Sequence, residues 1–369
     1  MDHGSSDRVT TLPPSAPATG PDLSPERLGD LFGIADLPSR LAAVDDRITA
    51  ALDHDGALLG PASVRVAASG GKRLRPLFTI VAAATGDVFD DRVVAAAAAV
   101  ELVQVGSLVH DDILDDAATR RGCPTINAVE GVNRAVMAGD YVLARAAELA
   151  AGVGREAAAL VAVALGDLCE GQVLEMRDTY DPDRSVDAHL ASIRGKTAAL
   201  FECACRLGAH CAGLAEENTL ALARFGEAFG MGFQVLDDVL DLIGDPDRLG
   251  KPTGTDIVSG VYTLPVLAAL RGPAGADLRQ ALAGNGAGGD GAVEVDVQAA
   301  IDLVRQSGTI AEALSAADRY ADEAHRAVAH LNQTTVGEGL GLFPRTYTTW
   351  ALENLMDQRY LEVPLTALG

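Results

Sequence analysis

At 369 residues and 38.0 kDa, with 52 acidic against 29 basic side chains, the chain carries a formal charge of −23 and a pI near 4.5. A field of that sign repels phosphate backbones and anionic lipid headgroups, so nucleic acid and membrane surfaces are poor partners for it. Its 48% hydrophobic and 22% charged residues are too apolar for a disordered chain and suffice for a large buried core.

Residues 1–24 are rich in Ser, Pro, Thr and Gly, lack the basic start and apolar stretch of a secretory signal, and read as a disordered tail. Beyond the tail, apolar residues at helical spacing predict helices over 91–113, 133–152, 157–177, 190–214, 220–243, 263–271, 297–307, 309–331 and 342–360. The breaks carry Gly, Pro and Asp, as in Gly152-Val153-Gly154, Asp181-Pro182-Asp183 and Gly244-Asp245-Pro246. Strand signatures are nearly absent, and aromatics amount to 4%. The most membrane-like run, Val93 to Val109, contains Glu101 and Gln104 and adjoins His110-Asp111-Asp112, which marks a buried helix instead of a span. Gly284 to Gly291 reads as a flexible surface loop. Five cysteines, scattered through apolar sequence without ligand spacing, suit reduced thiols in a cytosol and not a zinc site. The expectation is a single all-α domain over residues 25–369.

Two clusters carry the chemistry. Asp111-Asp112-Ile113-Leu114-Asp115 and Asp237-Asp238-Val239-Leu240-Asp241 share the pattern DDxxD. Positions i and i+4 lie one turn apart on a helix face, so Asp111 pairs with Asp115 and Asp237 with Asp241. Unpaired carboxylates in apolar helices are costly, and a shared array of divalent cations explains them; magnesium suits it, because that ion takes oxygen ligands and is commonly completed by substrate phosphates.

The cations are distributed unevenly. Of the basic residues 26 are Arg and only three are Lys, and Lys72, Lys196 and Lys251 each follow a glycine. Glycine permits close backbone approach, and an ammonium is a compact point charge for phosphate. Arg73, Arg75, Arg120 and Arg121 add to them. An acidic protein that gathers cations beside paired carboxylates points to a magnesium-bound polyanion, with diphosphate the economical choice.

These residues resemble the trans-isoprenyl diphosphate synthase family. The matching stretches are Gly70-Gly71-Lys72-Arg73-Leu74-Arg75-Pro76, Leu108 to Asp115, Arg120-Arg121-Gly122, Gly139-Asp140, Gly195-Lys196-Thr197, and Phe233-Gln234 through Asp241 with Gly250-Lys251-Pro252. The resemblance implies an all-α antiparallel helix bundle around a deep central cavity, a cytoplasmic homodimer, and about three magnesium ions per site. Asp111, Asp112, Asp115, Asp237, Asp238 and Asp241 would then hold the metals on an allylic diphosphate, with Arg120, Lys196, Lys251, Thr197 and Gln234 completing the grip. Lys72, Arg75, Gln104 and Arg121 would hold isopentenyl diphosphate, with Gly71 allowing close approach and Arg73 assisting. Gln172 matches a helix that lines the family's cavity, with Glu175 where Asp is usual.

The implied reaction condenses the two diphosphates head-to-tail, in repeated cycles, into an all-trans polyprenyl diphosphate. Ser107 sits one turn before Asp111, with Gly106 beside it and Val103 and Val100 deeper; their small size leaves a passage for a medium or long product of the kind used for quinone side chains. Close helix packing is the other reading of these small residues. Val261, in Gly260-Val261-Tyr262-Thr263-Leu264-Pro265, replaces a lysine common in the family. Alternatives are a shorter-chain geranylgeranyl or farnesyl synthase, a class I terpene cyclase, a non-catalytic subunit of a two-component synthase, and, from His110-Asp111, a metal phosphohydrolase. The second diphosphate pocket argues against the cyclase, the two intact clusters against the non-catalytic subunit, and the scattered remaining histidines against the phosphohydrolase.

Overall fold

Apolar residues recurring at helical spacing between Asp, Ser and Thr caps dictate a helical chain, and a computed structural model describes it for residues 22–53, 58–250, 252–283, 295–357 and Tyr360. Most of the expected N-terminal tail, the loop at 284–291 and Lys251 lie outside the described residues. The first helices are α1 (Pro25–Phe32), α2 (Leu37–Leu52), α3 (Gly60–Ala67), α4 (Leu74–Ala84), α5 (Asp91–Leu114), α6 (Ile126–Glu130), α7 (Val132–Val153) and α8 (Arg155–Arg177). There follow α9 (Val186–Ile193), α10 (Ala199–Cys211), α11 (Glu216–Ile243), α12 (Pro246–Leu249), α13 (Thr255–Val258) and α14 (Leu264–Arg271). The last are α15 (Gly275–Leu282), α16 (Val297–Gln306), α17 (Thr309–Ala327) and α18 (Thr335–Leu355). Apart from a bridge between Gly244 and Met356, extended pairing among the described residues is confined to a small antiparallel hairpin, β1 (Thr119–Arg120) with β2 (Cys123–Pro124).

The central helix is α5. Asp90 caps it, accepting from the backbone of Arg92 at 3.0 Å and Val93 at 3.1 Å, and satisfying two of the donors that a helix start leaves open. The alanines at 95–99 are all buried, so α4, α7 and α10 can approach closely. The second long helix, α11, packs on α10 and α17. One hydrophobic cluster runs from Leu28 to Met356. At its centre the Phe78 ring meets Phe201, Phe225, Phe229 and Phe343 at 4.8–5.7 Å, mostly edge to face, the arrangement that ring quadrupoles favour.

Several elements differ from the sequence reading. The helix expected over 190–214 is interrupted: α9 stops at Ile193, a π-turn occupies Arg194–Ala198, and α10 begins at Ala199. The interruption lies where Gly195 presses on α8, since a Cβ there would lie 2.5 Å from Asp167 O and 3.0 Å from Gly171 Cα. The helix expected over 309–331 ends at Ala327 and passes into a 3₁₀ turn, Ala329–Leu331. The last helix starts earlier than expected, because Thr334 caps it through the Gly337 N–H at 3.1 Å and Gly337, Gly339 and Gly341 imitate a loop in the sequence. Helices α1 to α3 were hidden by Pro25, Pro38 and Pro61, which read as breakers but suit a first helical turn, where a missing N–H costs nothing.

By length and composition α5 and α8 could each cross a membrane, yet they behave differently. The apolar window of α5 is 83% buried inside the protein, whereas that of α8 is only 28% buried and leaves Val163, Val173 and Met176 exposed.

Candidate active site

Helices α5 and α11 both end in aspartates, and both ends open on one cavity of about 510 Å³. Asp111 and Asp115 line it from α5, Asp237 and Asp238 from α11. A helix C-terminus already carries partial negative charge, so carboxylates there are doubly unfavourable unless cations answer them. Burial raises the pKa of Asp111 above the ordinary carboxylate value; Lys196 opposes the rise and Asp115 adds to it.

The six aspartates divide into two sets. Asp112, Asp238 and Asp241 are 1–2% exposed and held by protein donors, as buried carboxylates must be. Arg120 Nε donates to Asp112 Oδ1 at 2.5 Å. Asp238 meets His189 Nε2 at 3.1 Å and Gln234 Nε2 at 3.0 Å. Asp241 accepts from Thr255 Oγ1 at 2.6 Å and from the Asp256 N–H at 3.1 Å. Asp112 and Asp241 do not line the cavity. Asp111, half-buried, and Asp115 and Asp237, exposed, turn toward it instead.

Cations converge from three directions. The π-turn carries Lys196 and Thr197 into the lining, at a place where Gly171 of α8 meets the Lys196 backbone so closely that no side chain fits between. Lys196 Nζ bonds Glu175 at 2.6 Å; burial disfavours its charge, but Glu175 and Asp111 outweigh that and raise its pKa. Thr197 Oγ1 donates to Gln234 Oε1 at 2.8 Å, which links the π-turn to α11. Hairpin β1–β2 supplies Arg120, with Arg121 just beyond. Arg121 donates to Gly70 O and lies over Gly71, where φ is +144° and a Cβ would sit 2.8 Å from the guanidinium; only glycine fits there. Arg75 and Gln104 complete this side, with the Arg75 guanidinium 4.4 Å from the Phe201 ring centre and its pKa lowered by burial to about 10.

Not all of the residues expected from the sequence line the cavity. Gly106 faces α7, where a Cβ would meet Leu143 at 2.8 Å, and Val103 and Val100 are fully buried in the core; of the four residues assigned to the tail passage only Ser107 lines the cavity. Gln172 is not in the lining, whereas Glu175, one turn on, reaches it. Arg73 turns away from the cavity, onto Glu101 at 2.8 Å and Asp45 at 2.9 Å, and so anchors the glycine turn. Gly71 admits Arg121 where a ligand was expected. Lys72 is not in the lining either; its ammonium meets Tyr347 of α18 at 2.8 Å. The sequence reading missed His189, Asp256, Ser259 and Thr263, which line the cavity beside Val261. His189 arrives on α9, and Asp256, Ser259 and Thr263 on α13 and the connection that follows it, so only the fold brings the two groups together.

Among the described residues no group of three or more His, Cys, Asp or Glu could enclose a metal by itself. Asp111, Asp115 and Asp237 are oxygen donors in the cavity lining, which fits a hard divalent cation that takes its remaining oxygens from a bound anion. Leu108, Leu168, Ile193 and Phe233 supply an apolar wall next to this polar mouth.

A polyprenyl synthetase family profile matches residues 57–300. The chain is 38% identical to heptaprenyl diphosphate synthase component 2 of Geobacillus stearothermophilus, over 78% of this chain and 88% of the relative. It is 37% identical to nonaprenyl diphosphate synthase of Mycobacterium tuberculosis, over 82% of this chain and 90% of the relative. The crystal structure of a polyprenyl synthase from Caulobacter crescentus, complexed with calcium and isoprenyl diphosphate, superposes with a TM-score of 0.80 at 32% identity, covering 90% and 99% of the two chains.

Partial desolvation lowers the pKa of Lys72 to about 8, against the pull of Asp237. The ammonium is charged below that value and neutral above it. Affinity of the metal-free protein for inorganic diphosphate should therefore fall several-fold between about pH 7 and about pH 9, and Lys72→Arg should remove most of the fall. Identical pH profiles for the two proteins by calorimetry would count against a role for Lys72 in anion binding.

Proposed function

The chain belongs to the polyprenyl synthetase family, and from that membership we propose the detailed activity of the cavity. It is a prenyltransferase that condenses isopentenyl diphosphate with an allylic diphosphate, in repeated cycles, to a polyprenyl diphosphate of medium or long chain, serving quinone side chains. The observation that carries this reading is the convergence of two acidic helix ends and a ring of cations on one cavity with an apolar wall.

In this reading Asp111, Asp115 and Asp237 hold magnesium on the allylic diphosphate. Bound there, the metal would neutralise the departing diphosphate and so favour ionisation of the allylic carbon–oxygen bond. Lys196 and Arg120 spread further positive charge over the same group, and Thr197 and Gln234 orient it. Asp112, Asp238 and Asp241 keep the helix ends in place through their protein donors. Lys72, Arg75, Gln104 and Arg121 hold isopentenyl diphosphate so that its double bond meets the allylic cation. Leu108, Leu168, Ile193 and Phe233 keep water from that cation. The proton lost afterwards goes to the released diphosphate, so no protein nucleophile is needed. Lys251 belongs to the allylic side of this scheme by its place in the motif.

We also propose a homodimer in the cytoplasm, formed as one domain from residue 25 onward. The exposed apolar side chains of α8, Val163 and Val173, support a covered face, and the five free cysteines suit a reducing compartment. Sedimentation should give twice the 38.0 kDa chain mass, and Val163→Asp with Val173→Asp should give a monomer. A monomeric native protein would remove the dimer.

The Geobacillus relative is named as a component 2, which favours a second reading in which turnover needs a partner chain. Mass analysis of the products formed by the purified chain with magnesium, isopentenyl diphosphate and an allylic primer separates the two. In that assay Asp111→Ala and Asp237→Ala should each lower turnover by roughly a hundredfold or more while circular dichroism stays unchanged. Near-native turnover in both would refute the metal-clamp reading. Ser107→Phe should shorten the product by placing a ring in the lining, and an unchanged product length would show that the tail runs elsewhere.

A further inference from the structure

Lys72 lies on the glycine turn before α4, yet its ammonium is seated on the last helix of the fold. Its Nζ donates to Tyr347 Oη at 2.8 Å and lies 4.5 Å from the centre of the Trp350 ring and 5.1 Å from that of Tyr347. Tyr347 is itself buried and packed on Phe229 at 5.6 Å and Phe233 at 5.5 Å. Phe233 lines the central cavity, one turn before Asp237. Asp237 acts electrostatically on both Lys72 and Tyr347, so ammonium, phenol and carboxylate share one neighbourhood.

A lysine on an open surface spreads over many rotamers, and fixing it weakens whatever it binds. Ring faces attract an ammonium electrostatically and need no countercharge that would compete with an arriving anion. A cation seated on aromatic rings therefore remains able to take up an arriving anion while its position is already set. That combination is what a diphosphate pocket lacking its own metal requires.

We propose that Tyr347 and Trp350 are positioning residues of the isopentenyl diphosphate pocket, holding the Lys72 ammonium where the incoming diphosphate takes it up. The proposal rests on the reading above that Lys72 serves that substrate. It assigns α18 a part in substrate binding although α18 carries no residue of the two aspartate clusters or the glycine-lysine motifs. Arg73 supports the same geometry from the other side, since its bonds to Glu101, Asp45 and Ala67 O fix the backbone next to Lys72.

Trp350 is the single tryptophan of the chain, so its emission reports on the ammonium beside it. Isopentenyl diphosphate titrated without an allylic primer, so that no turnover occurs, should change that emission saturably, with a midpoint equal to the dissociation constant from calorimetry. Lys72→Ala should abolish the change. Trp350→Ala and Tyr347→Phe should raise the KM for isopentenyl diphosphate by roughly fivefold each, with kcat and the KM for the allylic substrate nearly unchanged, and Trp350→Phe should restore most of the loss. Calorimetric binding without an emission change, or an unaltered KM in folded Trp350→Ala, overturns the positioning role and leaves the pocket assignment standing. Absence of any calorimetric binding of isopentenyl diphosphate overturns the pocket assignment itself.

Discussion

Two helices that drive carboxylates toward the same cavity from their negatively polarised ends create an electrostatic conflict, and the rest of the site is built around it. The peptide dipole of α5 adds to the charges of Asp111 and Asp115, and Asp237 faces the same cavity from α11, in a protein whose net charge is already −23. Folding alone offers no reason to place them together. Lys196 from the π-turn, Arg120 from the hairpin and Lys72 from the first glycine turn each offset part of that field. What they leave over suits a divalent cation that arrives together with an anion.

The conflict is contained by a division of labour within each aspartate cluster. One carboxylate in the first cluster and two in the second are buried and held by Arg120, His189, Gln234, Thr255 and the Asp256 N–H, Asp238 among them at the cavity wall. Those bonds tie the helix ends to a hairpin, to α9 and to α13, so Asp111, Asp115 and Asp237 are presented to the cavity from anchored backbone. The π-turn performs the same service for Lys196. Its extra backbone width, pressed against Gly171, places ammonium, Glu175 and Asp111 in one polar chain.

The apolar half of the molecule follows from the same two helices. Phe229 and Phe233 of α11 extend the ring cluster around Phe78 toward the cavity, and Arg75 sits against Phe201 in it. The aromatic core is therefore continuous with the cation sites. This continuity is why α18, through Tyr347 and Trp350, reaches a lysine near the other end of the chain.

The amino-acid sequence by itself determined whatever rests on local repetition. The 3.6-residue period predicts most of the long helices and pairs Asp111 with Asp115, and the rarity of lysine singles out Lys72 and Lys196. Periodicity does not say which neighbour a side chain faces, and there the tertiary structure decided. Gly106 meets α7 while Ser107, one residue on, meets the cavity; Asp112 turns inward to Arg120 while Asp111 turns outward. The π-turn lies at the contact of Gly195 with Gly171, and the seat of Lys72 is on a helix far along the chain. Each of these is a contact between segments that share no sequence window, set by how closely backbones can approach and by which charges must be answered once they do.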